Sequence, residues 1–265
     1  MATTPPATGA VPGAAPSTGW NAATLLVALG AVMLTWELAV RLLGVSPDKL
    51  PAPSAVLATI WTGRVALAGA VGTTLYEAVL GLLAGITFGT LSGIAFSRFR
   101  LLERMVLPYF VASQAVPIIA FGAIIIMWFG NGVASKAMIA FYLSFFPVAV
   151  NTLGGIRRVS EEEIGLLRTF GAGTLTLLWK LQLPTALPSI FTAIRLGAGL
   201  ALVGAIVGEW FGSSRGLGVV LLTAMFDNQV EQLWAGILLT GLTGTALFAL
   251  VVFLQKKIAW WHAEV

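Results

Sequence analysis

The sequence predicts an all-α membrane protein with about six transmembrane helices. Of its 265 residues, 58% are hydrophobic and only 10% are charged, and the mean hydropathy is +0.93. A soluble domain carries about 25% charged residues. Because a core of this size cannot cover so much apolar surface, lipid must solvate the excess.

The inventory of reactive side chains excludes most kinds of active site. The chain contains no Cys, a single His (His262) and two Asp (Asp48 and Asp227). Thiolate metal sites, paired-Asp metal sites and a thiol nucleophile are therefore excluded, and no G-x-x-x-x-G-K-[ST] run is present to hold nucleotide phosphates. We expect no catalytic residue, metal or cofactor here, so another polypeptide would bind any ATP and Mg²⁺. The net charge of +4 and the pI of about 9.8 indicate orientation in the bilayer rather than nucleic-acid binding.

The first part of the chain predicts a leader followed by one span. Residues 1–19 are rich in Pro, Ala, Thr and Gly and predict a disordered leader without a cleaved signal. Residues 20–68 comprise a first transmembrane helix, at about 20–43, and an interfacial segment. Glu37 and Arg41 are spaced to pair on one face of that helix.

Residues 69–260 form the predicted transmembrane core. Its first span, at about 73–97, carries glycine at every fourth position: Gly81, Gly85, Gly89 and Gly93. We interpret this stripe as a surface for close helix packing, with a solute groove as the alternative. The next span, at about 107–129, is interrupted at Pro117, because proline removes a backbone hydrogen bond and disfavours helix just before it. The remaining spans lie at about 136–153, 189–212 and 233–258.

Basic residues near the span ends predict the orientation, because cytoplasmic loops are enriched in Lys and Arg. One side of the membrane receives Arg98, Arg100, Arg104, Arg157, Arg158, Arg168, Lys180, Lys256 and Lys257. The other side receives Arg41, Lys49, Arg64, Lys136 and Arg215. We therefore place the first side, with both termini and the loop at 155–184, in the cytoplasm.

That cytoplasmic loop predicts a helix-turn-helix. Three consecutive Glu suit a helix N-terminus, Gly171 marks a turn, and Thr174 is expected to cap a second helix that runs to Leu183. Pro184 and Pro188 are expected to end that helix and redirect the chain into the fifth span. Four apolar residues should remain exposed and need a protein partner to cover them: Leu166, Leu167, Phe170 and Leu175.

The loop resembles the signature of permeases in ATP-binding-cassette importers, which reads E-A-A, three residues, G, nine residues and I-x-L-P. Aligned on Gly171, the chain has Leu181 in the Ile position, followed by Leu183 and Pro184 at the same spacing. The segment GLL at 165–167 replaces E-A-A. Over about residues 50–255, further segments resemble the nitrate, sulfonate, taurine and bicarbonate branch: LPAPS at 50–54, WFG at 128–130, FFP at 145–147, LPTALP at 183–188, VGE at 207–209 and GLG at 216–218.

The resemblance implies a type I importer permease fold with a cytoplasmic coupling helix, in the bacterial inner membrane. It also implies three kinds of partner, namely a second permease chain, a cytoplasmic ATPase dimer and a periplasmic solute-binding protein. The permease pair is expected to be a homodimer, with a heterodimer as the alternative. The chain itself would be a non-catalytic subunit that forms the translocation path for a small anion. The residues expected to couple it to the ATPase are Glu163, Leu166, Leu167, Arg168, Thr169, Phe170, Gly171, Ala172, Leu175, Leu183 and Pro184.

Charged residues inside the spans are candidates for the solute path, because burying a charge in a membrane is costly. Glu209 and Trp210 lie near the outer end of the fifth span. Glu209 is either a structural residue, paired with a backbone amide or with Arg215, or part of a gate. Glu77, near the outer start of the second span, is interpreted as an interfacial residue.

Neutral polar side chains are the second group of candidates. Ser113 and Gln114 lie beside the break at Pro117, where freed backbone groups are tolerated if they line a cavity. Asn228, just before the sixth span, offers another neutral donor. A packing role is the alternative for each of them.

Two other classes of protein compete with the importer permease. A stand-alone secondary transporter or channel would be expected to show inverted repeats or titratable residues near the midplane, and it would leave the cytoplasmic loop unexplained. A membrane-embedded enzyme would lack catalytic parts. Co-purification with an ATPase would separate the first class from the other two.

Overall fold

The computed structural model describes residues 22–262, and the predicted leader at 1–19 lies outside them. Over this range the chain is helical, with no β-strand. The helices are α1 (Ala22–Leu42), α2 (Pro53–Thr62), α3 (Arg64–Arg98), α4 (Arg100–Ser113), α5 (Ile118–Phe129), α6 (Val133–Ile156), α7 (Glu161–Thr169), α8 (Thr174–Leu177), α9 (Leu183–Glu209), α10 (Leu217–Phe226) and α11 (Val230–Ile258). A π-helical turn (Leu178–Gln182) joins α8 to α9, and a 3₁₀ turn (Trp260–His262) follows α11.

Helix α1 belongs to the first of two compact units, which divide between Val45 and Ser46. Its 21 residues extend about 32 Å at 1.5 Å per residue, which is enough to span a bilayer core. Nη2 of Arg41 lies 2.6 Å from Oε1 of Glu37. The predicted pair between these two residues is therefore confirmed.

Four helical stretches of the described chain are long and apolar enough to cross a membrane, namely α3, α6, the run Thr174–Glu209 and α11. They match the predicted second, fourth, fifth and sixth spans. The predicted third span corresponds to α4 and α5, which are bent by 104° and count as a fifth crossing if taken together. Pro117 is the N-cap residue of α5, so the predicted break is confirmed. The first predicted span is α1, and its crossing stays a prediction.

Helix α6 is the centre of the second unit, and glycines let two neighbouring helices approach it closely. A methyl group at Gly89 of α3 would lie 2.6 Å from the carbonyl oxygen of Phe145. Gly81 of α3 and Gly204 of α9 both contact the buried Ala140 of α6. A methyl group added at Gly204 would lie 2.7 Å from the Cα of Ala140. Since only glycine fits at such distances, the stripe is a packing surface and not a groove.

Proline does not end the helix that leaves the loop at 155–184, so this prediction is wrong. The helix begins at Thr174 with Gly173 as its N-cap and no side-chain cap, so the predicted capping by Thr174 is also wrong. The chain then remains helical through Pro184 and Pro188 to Glu209. The π-helical turn ends at Gln182, two residues before Pro184, and shifts the backbone hydrogen-bond register. Proline is tolerated in the first turn that follows, since its missing N–H has no required partner there.

Helix α10 has no counterpart among the predicted elements. It contains ten residues, which is too short for hydropathy to identify as a span. It begins after Gly216, whose φ of 122° is one that residues with a side chain rarely adopt. Its placement beside α9 and α11 is therefore a result of the tertiary structure.

The α3–α6 contact predicts opposite effects of alanine at two glycines of α3. Gly89→Ala should lower the free energy of unfolding by about 1–3 kcal/mol, because the new methyl group overlaps the α6 backbone. Gly72→Ala should be neutral or slightly stabilising, because Gly72 is exposed with no atom near its Cβ position. Thermal unfolding of the purified variants in detergent measures the difference. Equal unfolding midpoints for the two variants would contradict the conclusion that close backbone approach sets the contact between α3 and α6.

Candidate functional site

The loop at 155–184 contains a capped helix, α7. The Ser160 hydroxyl accepts a hydrogen bond from the Glu163 N–H at 3.2 Å, and Oε2 of Glu163 accepts from the Ser160 N–H at 2.9 Å. This reciprocal pair is a capping box, which satisfies two N–H groups that a helix start otherwise leaves free. Glu163 therefore stabilises the first turn of α7.

Gly171 forms the turn between the two helices of the loop, as predicted. Its φ of 80° lies in the left-handed region that favours glycine. The Ala172 N–H donates to the Leu167 carbonyl at 3.0 Å and the Gly171 N–H donates to the Arg168 carbonyl at 2.9 Å, which closes the end of α7. The space around the Gly171 Cβ position is empty.

An exposed apolar surface covers this helix pair, and we call it the apolar knob: Leu166, Phe170, Leu175 and Trp179. Phe170 is 81% exposed and Leu175 is 72% exposed, in agreement with the sequence prediction. Leu167, predicted to be exposed as well, is only half-buried. Sequence reasoning missed Trp179, although its position four residues after Leu175 places both on one helix face.

The eleven residues expected to couple the chain to an ATPase all lie at or next to this knob, with two degrees of exposure. Seven of them are exposed: Glu163, Leu166, Arg168, Thr169, Phe170, Gly171 and Leu175. Four of them are half-buried: Leu167, Ala172, Leu183 and Pro184. The surface that a partner could touch is thus mainly α7, the turn and the start of the second helix.

Arg98 connects the knob to the helical bundle. Its Nη2 donates to Oε1 of Gln182 at 2.9 Å and to the Thr174 carbonyl at 3.2 Å. Arg98 is the last residue of α3, and its two acceptors lie at the two ends of α8 and the π-helical turn. Movement of the knob would therefore act on α3 as well as on α9.

Buried polar groups meet around Glu209, at the opposite end of the helical run Thr174–Glu209 from the knob. Oε1 of Glu209 accepts from the Thr74 hydroxyl at 2.6 Å, and Oε2 accepts from the Gly218 N–H at 2.5 Å. The Thr74 oxygen also accepts from the Leu217 N–H at 2.8 Å. These bonds join α3, α9 and the first turn of α10. Of the two partners predicted for Glu209, the backbone amide is confirmed, whereas Arg215 is not among its hydrogen-bond partners within residues 22–262.

Two further charged residues belong to this buried group. Glu77 is 2% exposed and interacts with Glu209 and with Lys136, which is 1% exposed. The Lys136 ammonium donates to the Asn131 side chain, which in turn donates to the Gly212 carbonyl. The interpretation of Glu77 as an interfacial residue is therefore wrong, because α6 and α9 pack over that face of α3. We call Thr74, Glu77, Lys136 and Glu209 the Glu209 cluster.

The structure does not bring the candidate solute-path residues into one site. Ser113, Gln114 and Pro117 lie at the break between α4 and α5, where the Ser113 carbonyl accepts from the Tyr142 hydroxyl of α6.

The other candidates lie elsewhere in the fold. Glu209 is in the buried cluster, and Trp210 follows it with 39% exposure. Asn228, at a φ of 54°, lines a separate cavity of about 330 Å³ beside Asp48 and Glu231. The candidates thus mark three places along the bundle.

Known proteins resemble this chain over most of its length. The family model described as binding-protein-dependent transport system inner membrane component matches residues 85–260. A protein of Haemophilus influenzae named as an ABC transporter permease is 34% identical over 89% of this chain and 96% of its own length. A formylaminopyrimidine transport permease of Halalkalibacterium halodurans is 33% identical (88% and 93% covered), and an aliphatic sulfonates transport permease of Bacillus subtilis is 32% identical (92% and 88% covered).

The Glu209 cluster predicts different effects of valine at two adjacent threonines. Thr74→Val should lower the free energy of unfolding by about 2 kcal/mol or more, because it removes the donor to Oε1 of Glu209 and leaves the buried Leu217 N–H without its acceptor. Thr73→Val should change it by less than about 0.5 kcal/mol, because the hydroxyl of the half-buried Thr73 bonds the Gly69 carbonyl of its own helix and, within residues 22–262, no other helix. Thermal unfolding in detergent gives both values. A Thr74 variant as stable as the Thr73 variant would show that the cluster does not hold α10 in place.

Proposed function

This chain belongs to the family of binding-protein-dependent transport system inner membrane components, in its nitrate, sulfonate and taurine branch, and from that premise we propose that it forms the solute path for a small anion. It is a permease of an ATP-binding-cassette import system. We further propose that the apolar knob is the coupling element on which a cytoplasmic ATPase acts. The observation that carries this proposal is the exposure of the knob on a helix pair whose first helix is capped.

The knob needs a protein partner, because several large apolar side chains protrude together from a loop. Contiguous exposed apolar patches on otherwise polar segments mark interaction sites. Phe170 and Trp179 are the kind of aromatic residue that dominates binding energy at interfaces. We propose that these two residues, with Leu166 and Leu175, occupy a cleft on the ATPase.

The continuous helix supplies a mechanical connection from the knob to the Glu209 cluster. The run Thr174–Glu209 contains 36 residues, which corresponds to about 54 Å at 1.5 Å per residue. A force on the knob would therefore reach Glu209 through a single helix, packed along α6. Rigid helices that move against a packed bundle are a common way to couple distant sites. We propose that Glu209 controls access at the far end by holding or releasing α10.

The proposed solute path includes the break between α4 and α5, with Ser113, Gln114 and Pro117, and the outer residues Trp210 and Asn228. Glu209 acts there as a tie between helices rather than as a ligand, since both its oxygens accept internal hydrogen bonds and a carboxylate repels an anion. The anion is supported by the name of the sulfonate permease among the relatives. Another relative is named for the transport of formylaminopyrimidine, which is a pyrimidine and not a sulfonate.

The remaining parts of the proposed system lie outside this chain. We propose a homodimer of permeases, an ATPase dimer that carries the ATP and Mg²⁺, and a periplasmic solute-binding protein. The chain itself would be non-catalytic, bind no cofactor and no nucleic acid, contact membrane lipid and have both termini in the cytoplasm. The alternative is a stand-alone secondary transporter or channel, which would transport without any ATPase.

The knob predicts that Phe170→Ala weakens ATPase binding about tenfold or more, which is the loss expected for a hot-spot aromatic residue. The measurement is co-purification of the co-expressed ATPase with tagged permease in detergent. Phe226→Ala is the matched control, because Phe226 is 72% exposed and lies at the end of α10, away from the knob. Both side chains are exposed, so neither variant should change the melting temperature.

The outcomes of that experiment separate the alternatives. Loss of the ATPase from the Phe170 variant alone supports the knob as coupling element. Equal retention by both variants would move the coupling element elsewhere. Absence of any ATPase from the wild type, together with solute uptake in vesicles without ATP, would favour the stand-alone transporter.

The orientation predicts which engineered cysteines react from outside the cell. The natural chain has no Cys, so any labelling of a single-cysteine variant comes from the introduced cysteine. Ser214→Cys, in the exposed connection between α9 and α10, should react with a membrane-impermeant maleimide on intact cells. Gly165→Cys, on the open side of α7, should react only after permeabilisation. The reverse pattern would place the knob outside the cytoplasm and would refute the proposed function.

A further inference from the structure

Helix α4 carries an open groove that neither the knob nor the Glu209 cluster uses. None of its 14 residues is buried within the described chain. A cavity of about 640 Å³ runs along one of its faces, and we call it the α4 groove. Its lining residues are Arg100, Glu103, Arg104, Leu107, Pro108, Val111 and, from the end of α6, Arg157.

The α4 groove has an excess of positive charge. Nη2 of Arg157 lies 2.6 Å from Oε2 of Glu103, so these two charges neutralise each other. Arg100 and Arg104 are exposed, and within residues 22–262 neither forms a hydrogen bond or ion pair with another side chain. They are four residues apart on one helix face, where like charges repel. An anion in the groove would relieve that repulsion.

The lining changes from basic to apolar along the helix. Arg100 and Arg104 lie in its first turns, whereas Leu107, Pro108 and Val111 follow on the same face. From Arg100 to Val111 the groove extends about 16 Å at 1.5 Å per residue. A ligand that fills it must therefore be anionic at one end and apolar at the other.

We propose that the α4 groove binds an anionic phospholipid, with the headgroup phosphate between Arg100 and Arg104 and an acyl chain along Leu107 and Val111. Arginine binds phosphate oxygens through two parallel N–H groups. Basic pockets beside membrane helices at the cytoplasmic face are suited to anionic headgroups. The proposal depends on the cytoplasmic placement of this end of α4, which the cysteine-labelling experiment tests separately.

The observations favour a lipid over two other occupants. A small dissolved anion would leave the apolar half of the groove uncovered. A second copy of the chain, packed about a two-fold axis through this face, would bring two unpaired arginines towards two others. A phospholipid satisfies both halves of the groove at once.

Native mass spectrometry of permease purified from detergent with equal amounts of phosphatidylglycerol and phosphatidylcholine tests the proposal. The wild type should retain phosphatidylglycerol preferentially. Arg100→Gln with Arg104→Gln should reduce that retention about tenfold or more, because two charges next to the phosphate are lost. The matched control is Arg158→Gln with Lys257→Gln, which removes two exposed charges on the same predicted side but outside the groove. The control should retain phosphatidylglycerol as the wild type does.

Several results would overturn the proposal. The first is equal retention of the two lipids by the wild type, and the second is equal loss of phosphatidylglycerol in both double variants. The third is displacement of the lipid by millimolar sodium sulfate, which would indicate a site for a free anion. Dissociation of a dimer in the groove variant alone would assign the groove to a second copy. ATPase co-purification, measured on the same samples, should be unchanged in both variants, so failure of the lipid site is distinguishable from failure of the proposed coupling.

Discussion

The structure depends on how closely the backbones of α3 and α9 approach α6. In lipid there is little hydrophobic drive to bring helices together, so close packing supplies much of the association energy. Glycine at Gly81 and Gly204 allows both neighbours to reach Ala140, and this three-helix unit positions the contacts of Arg98 and Thr74. Arg98 reaches the loop because α3 runs the length of α6, and Thr74 reaches Glu209 because α3 and α9 share the same partner.

The Glu209 cluster shows how buried charge is accommodated in this bundle. Removing carboxylates and an ammonium from water costs several kcal/mol per ion, and only good geometry and additional hydrogen bonds offset that cost. Here the Thr74 hydroxyl and the Gly218 N–H occupy the Glu209 oxygens, and Lys136 supplies the opposite charge. Such an arrangement fixes α10 firmly, but it loses much of its stability when one partner moves away. This sensitivity agrees with the proposed role of the cluster in holding and releasing α10.

The knob and the cluster are joined by a helix that contains two prolines and a π-helical turn. A break at Pro184 would have made the loop a separate module, connected to the bundle only by flexible chain. The observed continuity instead joins the loop to the bundle through one helix, and the Arg98 contacts attach a second helix to it. The proposed coupling between the exposed apolar surface and the Glu209 cluster would therefore pass through this one helix.

Local chemistry and hydropathy are readable from the sequence, and they determined much of this description. The span positions, the packing role of the glycine stripe, the break at Pro117 and the turn at Gly171 each depend on residues close together in the chain. The burial of Glu77 and Lys136 and the position of α10 were decided only by the tertiary structure. Thr74 and Glu209 are 135 residues apart, and whether such residues meet depends on how three helices pack. A charged side chain has the same local signature at a membrane interface and inside a bundle, so only packing distinguishes the two.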